Sequence, residues 1–271
     1  MPHEISGKTR VFMTVGNPIS QVKSPGDITQ CFRDRNVDAV HIPLEVSRDG
    51  IDEFLIAINK CTNVDGLVIT IPYKFKGAEI CSTLSPRATL LGTTNILRRK
   101  KDGSWHGDMT DGIGFCNAIE QTGTRIQDRS ALLIGAGGAG SAIGLSLLDR
   151  GVSALSIFDI DQGRASKLAG LLQTKYPDIV DTVTTPQPAG SEIIAHASPT
   201  GMKKGDPLPV DVTTLDDSMH VGDVVTEPTL TPLIQFAKKR GCSVHTGIQM
   251  WKEQQDVIVD FLLHQVSQDS F

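Results

Sequence analysis

Ala131-Leu132-Leu133-Ile134-Gly135-Ala136-Gly137-Gly138-Ala139-Gly140 is the stretch that decides the fold. Its first four residues are an apolar run, which reads as a buried strand. A G-x-G-x-x-G pattern starts where that run ends, and Ser141–Asp149 continues with helical spacing. The pattern is weak alone and gains meaning between a strand and a helix. There Gly135 permits a tight turn, Gly137 lets the backbone approach a pyrophosphate, and Gly140 brings helix and strand close together. The pyrophosphate would rest on the first N–H groups of the helix, with Ala136, Gly138 and Ala139 completing the loop around it.

The next strand, Leu155-Ser156-Ile157-Phe158-Asp159, ends on an acid. A carboxylate there accepts hydrogen bonds from the adenosine ribose hydroxyls of NAD and repels the 2′-phosphate of NADP. Asp161 adds a second negative charge, and the nearest base, Arg164, lies a turn further on. The sequence therefore predicts NAD as the cofactor.

Working outward, Arg10–Gly16, Ala39–Val46 and Gly66–Ile71 read as strands, with helices over Pro25–Asn36 and Ile51–Cys61. This alternation predicts βαβ units and a largely parallel sheet. Ser85–Leu91 reads as a helix, and Thr94–Arg99 with Ser104–Gly107 as a hairpin turning at Asp102-Gly103. Asp111–Gln121 reads as a helix connecting two domains. Beyond the glycine-rich turn, Ala154–Phe158, an edge strand near Asp181–Thr184, Glu192–Ala195 and Asp223–Val225 form a second series. A closing helix over Gly247–Gln265 is expected to return to the first domain. The fold class is thus α/β, with a discontinuous substrate-binding domain (1–112 and 241–271), a Rossmann dinucleotide-binding domain (113–240) and a cleft between them.

The 271 residues, 39% of them hydrophobic, suffice for about two packed domains. A net charge of -5 argues against a broad nucleic-acid footprint. The basic run Arg98-Arg99-Lys100-Lys101 reads as a solvated hairpin turn. No apolar stretch approaches the roughly 18–20 residues of a membrane span, and Met1 to Lys8 lacks a signal core. The five cysteines have neither disulfide-framework nor zinc-ligand spacing, so no metal is expected. A soluble, reduced, cytoplasmic monomer or homodimer follows.

Hydride transfer to a nicotinamide also moves a proton, so an acid/base group must stand beside the reacting alcohol. Ile69-Thr70-Ile71-Pro72-Tyr73-Lys74 puts a lysine just past a strand end, and Gly107-Asp108-Met109-Thr110-Asp111-Gly112 puts an acid at a helix start. At these residues the chain resembles the shikimate dehydrogenase family of shikimate and quinate dehydrogenases. Gly16-Asn17-Pro18-Ile19 followed by Lys23-Ser24-Pro25 looks like its substrate loop, and Gly92-Thr93-Thr94-Asn95 like its asparagine motif. Ala197-Ser198 with Gly201-Met202 matches the segment lining the nicotinamide, and Gly247 with Met250 opens the closing helix.

By that resemblance Lys74 and Asp111 form the acid/base pair. Ser24, Thr70, Asn95 and Gln254 bind a cyclic hydroxy acid or polyol, and the reaction is NAD-linked oxidation of a ring hydroxyl. The pattern also departs from the family. Val22 stands where a first serine is usual, Val68 and Met109 where asparagines are, and Thr226 near the place of a tyrosine. Asp159-Ile160-Asp161 replaces the Asn-Arg-Thr of NADP-dependent members. Two further readings stay open: a paralogue acting on another cyclic polyol or amino analogue, and an NAD-binding sensor without turnover. His196, next to the nicotinamide segment, is a further candidate to touch cofactor.

Overall fold

The computed structural model describes residues 4–264. The chain divides into two compact units, Met1–Thr110 with Gln255–Phe271, and Asp111–Gln254. The first runs β1 (Arg10–Gly16), α1 (Ser24–Asp34), β2 (Ala39–Glu45), α2 (Ile51–Ile58), β3 (Val64–Ile69), α3 (Lys74–Glu79), β4 (Cys81–Leu84), α4 (Pro86–Leu91), β5 (Ile96–Arg99) and β6 (Trp105–Asp108). Its sheet has the order β2-β1-β3-β5-β6-β4. The expected largely parallel sheet is in fact mixed: β1 pairs in parallel with β2 and β3, while the β5–β6 hairpin enters antiparallel beside β3. All six residues of β3 are buried, as expected of a central strand covered on both faces. Leu67, Ile69, Leu97 and Trp105 form the core here with Ile51, Leu55 and Ile58 of α2.

Two helix starts matter for the site. Pro25 sits in the first turn of α1, where its missing N–H costs nothing, so the helix begins at Ser24. Ser85 caps α4 by accepting from the Ala88 N–H, and Gly92, at φ 62°, ends that helix in the left-handed conformation. Arg99 corrects the solvated reading of the basic run. It is only 8% exposed, donates to the carbonyls of Ile58, Cys61, Val64 and Gly103, and lies 4.2 Å over the Trp105 ring.

The second unit runs α5 (Asp111–Gln121), β7 (Ser130–Ile134), α6 (Gly138–Asp149), β8 (Ala154–Phe158), α7 (Gln162–Gln173), β9 (Val180–Thr182), β10 (Ile193–His196), β11 (His220–Asp223), α8 (Pro232–Lys239) and β12 (Ser243–His245), and α9 (Gly247–Leu263) begins in it. Its sheet has the order β12-β11-β10-β7-β8-β9, every pairing parallel. This is the doubly wound dinucleotide-binding arrangement, whose strand order reverses between β7 and β10. Two expectations need correction. The boundary expected at 241 falls at Gln255, because β12 joins this sheet beside β11 and α9 as far as Gln254 belongs to the same unit. The strand expected at Asp223–Val225 ends at Asp223. Gln265, the expected end of the closing helix, lies outside the described residues. Residues of α9 from Gln255 onward return to the first unit, where Asp260 pairs with Arg35 at 2.6 Å and Phe261 stacks on His106. No helix among the described residues is long and apolar enough to cross a membrane.

Each unit buries neutral imidazoles. In the first, burial pushes His41 from 6.5 down to about 3. In the second, burial pushes His220 down to about 4, and burial with the neighbouring His220 pushes His245 well below its ordinary value. The two rings are joined by a 2.8 Å hydrogen bond. A histidine whose folded pKa is depressed stabilises the fold above its unfolded value of 6.5, and that stabilisation is lost as pH falls toward the folded value. We expect the first unit, with one such histidine, to lose about 2 kcal/mol between pH 6.5 and 5, and the second, with two, about 3 kcal/mol, above the range where ordinary carboxylates take up protons. Thermal midpoints measured across that window check this, and a flat profile would contradict it.

Candidate functional site

In the second unit the site begins where β7 ends. Gly135 adopts φ +104°, and a side chain there would press within 3 Å of the Ala197 carbonyl that follows β10. Gly140 packs still closer, since an added Cβ would lie 1.8 Å from the Gly135 carbonyl oxygen. The turn is thus wound so tightly that α6 starts directly against the strand end. Gly137 is the opposite case: a Cβ there would meet nothing within 4 Å. It stands at the N-cap of α6, and no side chain caps that helix. Helix N-termini leave N–H groups without intrahelical partners, so Gly137, Gly138 and Ala139 line a cradle of donors with open space before it. These residues fit a dinucleotide pyrophosphate.

Asp159, just past β8, is 6% exposed. One of its oxygens accepts from the Ala136 N–H at 2.7 Å and the other from the Asp161 N–H at 2.9 Å. The carboxylate therefore ties the glycine-rich turn to the loop that follows β8. Each oxygen offers two lone-pair sites, so acceptor capacity for ribose hydroxyls is left. Ile160 is 92% exposed. Asp161 caps α7 through the Gly163 and Arg164 N–H groups. The backbone N–H of Arg164, then its guanidinium, hold the Asp161 carboxyl below its usual range. Arg164 pairs with Asp161 at 3.1 Å, so this base is committed to an acid of its own loop.

Ser198 follows β10. His196, fully buried, joins it to Asp223 at the end of β11: Nδ1 lies 3.0 Å from Asp223 Oδ1 and Nε2 lies 2.6 Å from Ser198 Oγ. Asp223 also accepts from the Val225 N–H at 3.0 Å and the Thr231 hydroxyl at 2.6 Å. A carboxylate only accepts, so Nδ1 donates to Asp223, and Nε2 is hydrogen-bonded to the Ser198 hydroxyl. Both ring nitrogens are used inside the unit. His196 is thus fully buried and spans from Asp223 to Ser198. Met202 sits in the turn beyond, where Asp206 accepts from the Gly201 and Lys203 N–H groups. Gly247 brings the start of α9 against the Val224 and Val225 carbonyls, each 2.5 Å from the place of a Cβ, and Met250 is buried one turn on. Asp111, the first residue of α5, is 5% exposed and accepts from Gln254 Nε2 at 3.0 Å.

In the first unit, parallel pairing of β1 with β3 carries two sequence motifs to one sheet end. The Asn17 N–H donates to the Ile71 carbonyl at 2.9 Å, and the Thr70 N–H to the Val15 carbonyl at 2.9 Å. Lys74 opens α3, half-buried, and its carbonyl accepts from the Thr94 N–H at 2.9 Å. Asn95, 2% exposed, donates to Thr110 Oγ1 at 3.0 Å and accepts from the Thr110 N–H at 2.8 Å. These two hydrogen bonds fix the residue preceding Asp111. Asp108 holds α4 to β6 through Arg87 and Ser85. Val68 and Met109 are buried, at 7% and 1% exposure, and Val22 is half-buried. Ser24 is 6% exposed, with its hydroxyl 3.0 Å from Thr14 Oγ1.

The network of His196, Asp223 and Thr231, and the Thr14–His41 pair behind Ser24, went unread in the sequence. The one signal was a polar residue closing an apolar strand, as in Ile193-Ile194-Ala195-His196.

Residues 14–97 match the model of the shikimate dehydrogenase substrate-binding domain. A shikimate dehydrogenase (NADP(+)) of Rhodospirillum rubrum is 30% identical over 256 residues, covering 92% of this chain and 90% of that protein. The chain belongs to the shikimate dehydrogenase family. Its solved relatives include shikimate 5-dehydrogenase of Listeria monocytogenes in complex with shikimate and NAD, 26% identical with a TM-score of 0.84 over 97% of this chain and 95% of that one. Quinate dehydrogenase of Corynebacterium glutamicum in complex with NAD is also 26% identical, with a TM-score of 0.84 over 94% of each chain. The family's α/β architecture of a substrate-binding domain and a Rossmann-like domain is the one observed, and the family's members are oxidoreductases.

Proposed function

We propose that this member of the shikimate dehydrogenase family uses NAD to oxidise a ring hydroxyl of a shikimate- or quinate-like acid, and in reverse reduces the corresponding ketone. The observation that carries the finer reading is the Asp159-Ile160-Asp161 loop. It offers carboxylates to ribose hydroxyls, has an exposed apolar side chain where NADP-dependent members have arginine, and pairs its nearest base internally. The NAD bound to the Listeria and Corynebacterium relatives supports the same preference, whereas the Rhodospirillum relative is named for NADP(+).

When bound, the dinucleotide supplies the hydride acceptor. In our reading Lys74 takes the hydroxyl proton in oxidation and returns it in reduction, and Asp111 steadies the lysine by charge. Gln254 holds Asp111 by the hydrogen bond it donates, which adds a positioning task to its expected contact with substrate. Asn95, fixed by Thr110, and Thr70 hydrogen-bond ring hydroxyls, while Ser24 holds the carboxylate. Ser198 and Met202 line the nicotinamide, and Ser198 is held by His196. A neutral Val22 in place of a serine leaves the carboxylate with fewer donors. Each buried polar group without a partner weakens binding by about 1–3 kcal/mol, which favours a looser fit to the acid than its relatives have.

The test is NADH formation at mildly alkaline pH with shikimate and with quinate. Turnover of either supports the reading. NAD binding with neither acid oxidised would overturn it, and would direct the search to cyclic polyols or amino analogues lacking the carboxylate. Binding without turnover of any of these would leave a sensor.

A further inference from the structure

Behind Ser24 lies a buried polar chain that no step above uses. His41 Nε2 is 2.6 Å from Thr14 Oγ1, and Thr14 Oγ1 is 3.0 Å from Ser24 Oγ. Exposures are 3% for His41, 1% for Thr14 and 6% for Ser24. Thr14 lies in β1, opposite Pro43 of β2 and Val68 of β3, so no solvent reaches it from the sheet. His41 Nδ1 is buried and has no hydrogen-bond partner.

That lone nitrogen decides the direction of the whole chain. A neutral imidazole has one N–H and one acceptor nitrogen. With the proton on Nδ1, a buried N–H would be left unpaired, which folded proteins rarely tolerate. With the proton on Nε2, the unpaired atom is an acceptor, the lesser fault. Nε2 then donates to Thr14 Oγ1. The Thr14 hydroxyl, having accepted from one side, donates to Ser24 Oγ on the other. The Ser24 hydroxyl proton is left to point away from the chain. Burial keeps His41 neutral throughout the working pH range, so the polarity does not reverse.

We propose that His41 and Thr14 are positioning residues that fix Ser24 as a hydrogen-bond donor, making its subsite select an acceptor such as a carboxylate oxygen. This rests on the reading of Ser24 as a substrate contact. It assigns the selectivity of that contact to two residues that never touch the ligand. With Val22 offering no hydroxyl, a donor of fixed direction at Ser24 carries more of the discrimination than it would beside a second serine.

The experiment compares Thr14→Val, Thr14→Ser, His41→Gln and Ser24→Ala, using shikimate or quinate, whichever turns over, and a ring alcohol without a carboxylate. Valine keeps the shape of Thr14 and its preference for a strand, and removes the hydroxyl. We expect Ser24→Ala to raise KM for the acid on the order of tenfold, the loss of a hydrogen bond to a charged group, and Thr14→Val to raise it severalfold, because the Ser24 hydroxyl stays but is no longer held as a donor, with kcat and the Kd for NAD little changed in both. Thr14→Ser should restore KM to within about threefold, and none of the variants should alter KM for the uncharged alcohol. If Thr14→Val proves unstable, His41→Gln, which keeps a donor for Thr14, should retain a near-normal KM. A raised KM in Ser24→Ala with an unchanged KM in Thr14→Val overturns the proposal and leaves Ser24 as a substrate contact. An unchanged KM in both overturns the proposal together with the role of Ser24. A KM raised equally for acid and alcohol also overturns it.

Discussion

Lys74→Ala is expected to lower kcat by about 10²–10⁴-fold, the usual contribution of a positioned acid/base group, while NAD binds as before. Lys74 is the first residue of α3, held at its backbone by Thr94 and half-buried, so the truncation removes no core packing. Lys74→Arg separates two roles. If the side chain served only as a positive charge near substrate, arginine would preserve most of the rate. A guanidinium does not give up its proton at working pH, so a proton-exchanging lysine predicts a loss close to that of alanine. Steady-state rates with saturating substrate, beside titration of NAD into each variant, check this. Loss of less than tenfold in Lys74→Ala would make Lys74 an ordinary surface residue.

Gly140→Ala and Gly137→Ala should fail in opposite ways. At Gly140 the new methyl would meet the Gly135 carbonyl at 1.8 Å, and a backbone atom cannot yield as a flexible side chain does. Overpacking of this kind costs about 3 kcal/mol, which lowers the thermal midpoint on the order of 10 °C. At Gly137 the methyl enters open space and the backbone, at φ -78° and ψ -171°, suits any residue. Stability should fall by at most about 1 kcal/mol, the difference between glycine and alanine as a helix cap. The same methyl occupies the cradle, so the Kd for NAD should rise on the order of tenfold or more. Calorimetry of both proteins and NAD titrations check the pair. Normal NAD affinity in Gly137→Ala would show that the pyrophosphate does not lie there.

The glycine-rich turn and the acid after β8 were legible because their chemistry is local: strand, turn, helix and acid follow within thirty residues. The β5–β6 hairpin was legible from Asp102-Gly103 for the same reason. Two other short strands were not. β4 and β12 are four and three residues long, too short to show a period of two, and they are strands only through their partners β6 and β11. Missing β12 displaced the domain boundary from 255 to 241. Arg99 was misread because its carbonyl partners lie on distant segments that no spacing connects to it. The same holds for His41, Thr14 and Ser24, and for His196 and Asp223, which meet only when parallel strands set their ends side by side. Val68 was legible as a departure from the family, but its burial in β3 is a property of the sheet.

Linkage of the dehydrogenase to NAD through Asp159-Ile160-Asp161 is read from the ratio of kcat/KM for NAD over NADP, measured with the preferred acid as substrate. The expected ratio is above about ten in favour of NAD, because a 2′-phosphate would face two carboxylates and no uncommitted cation on that loop. A ratio at or below one would contradict it, and would mean that the cation reading the phosphate comes from a part of the chain other than the loop after β8.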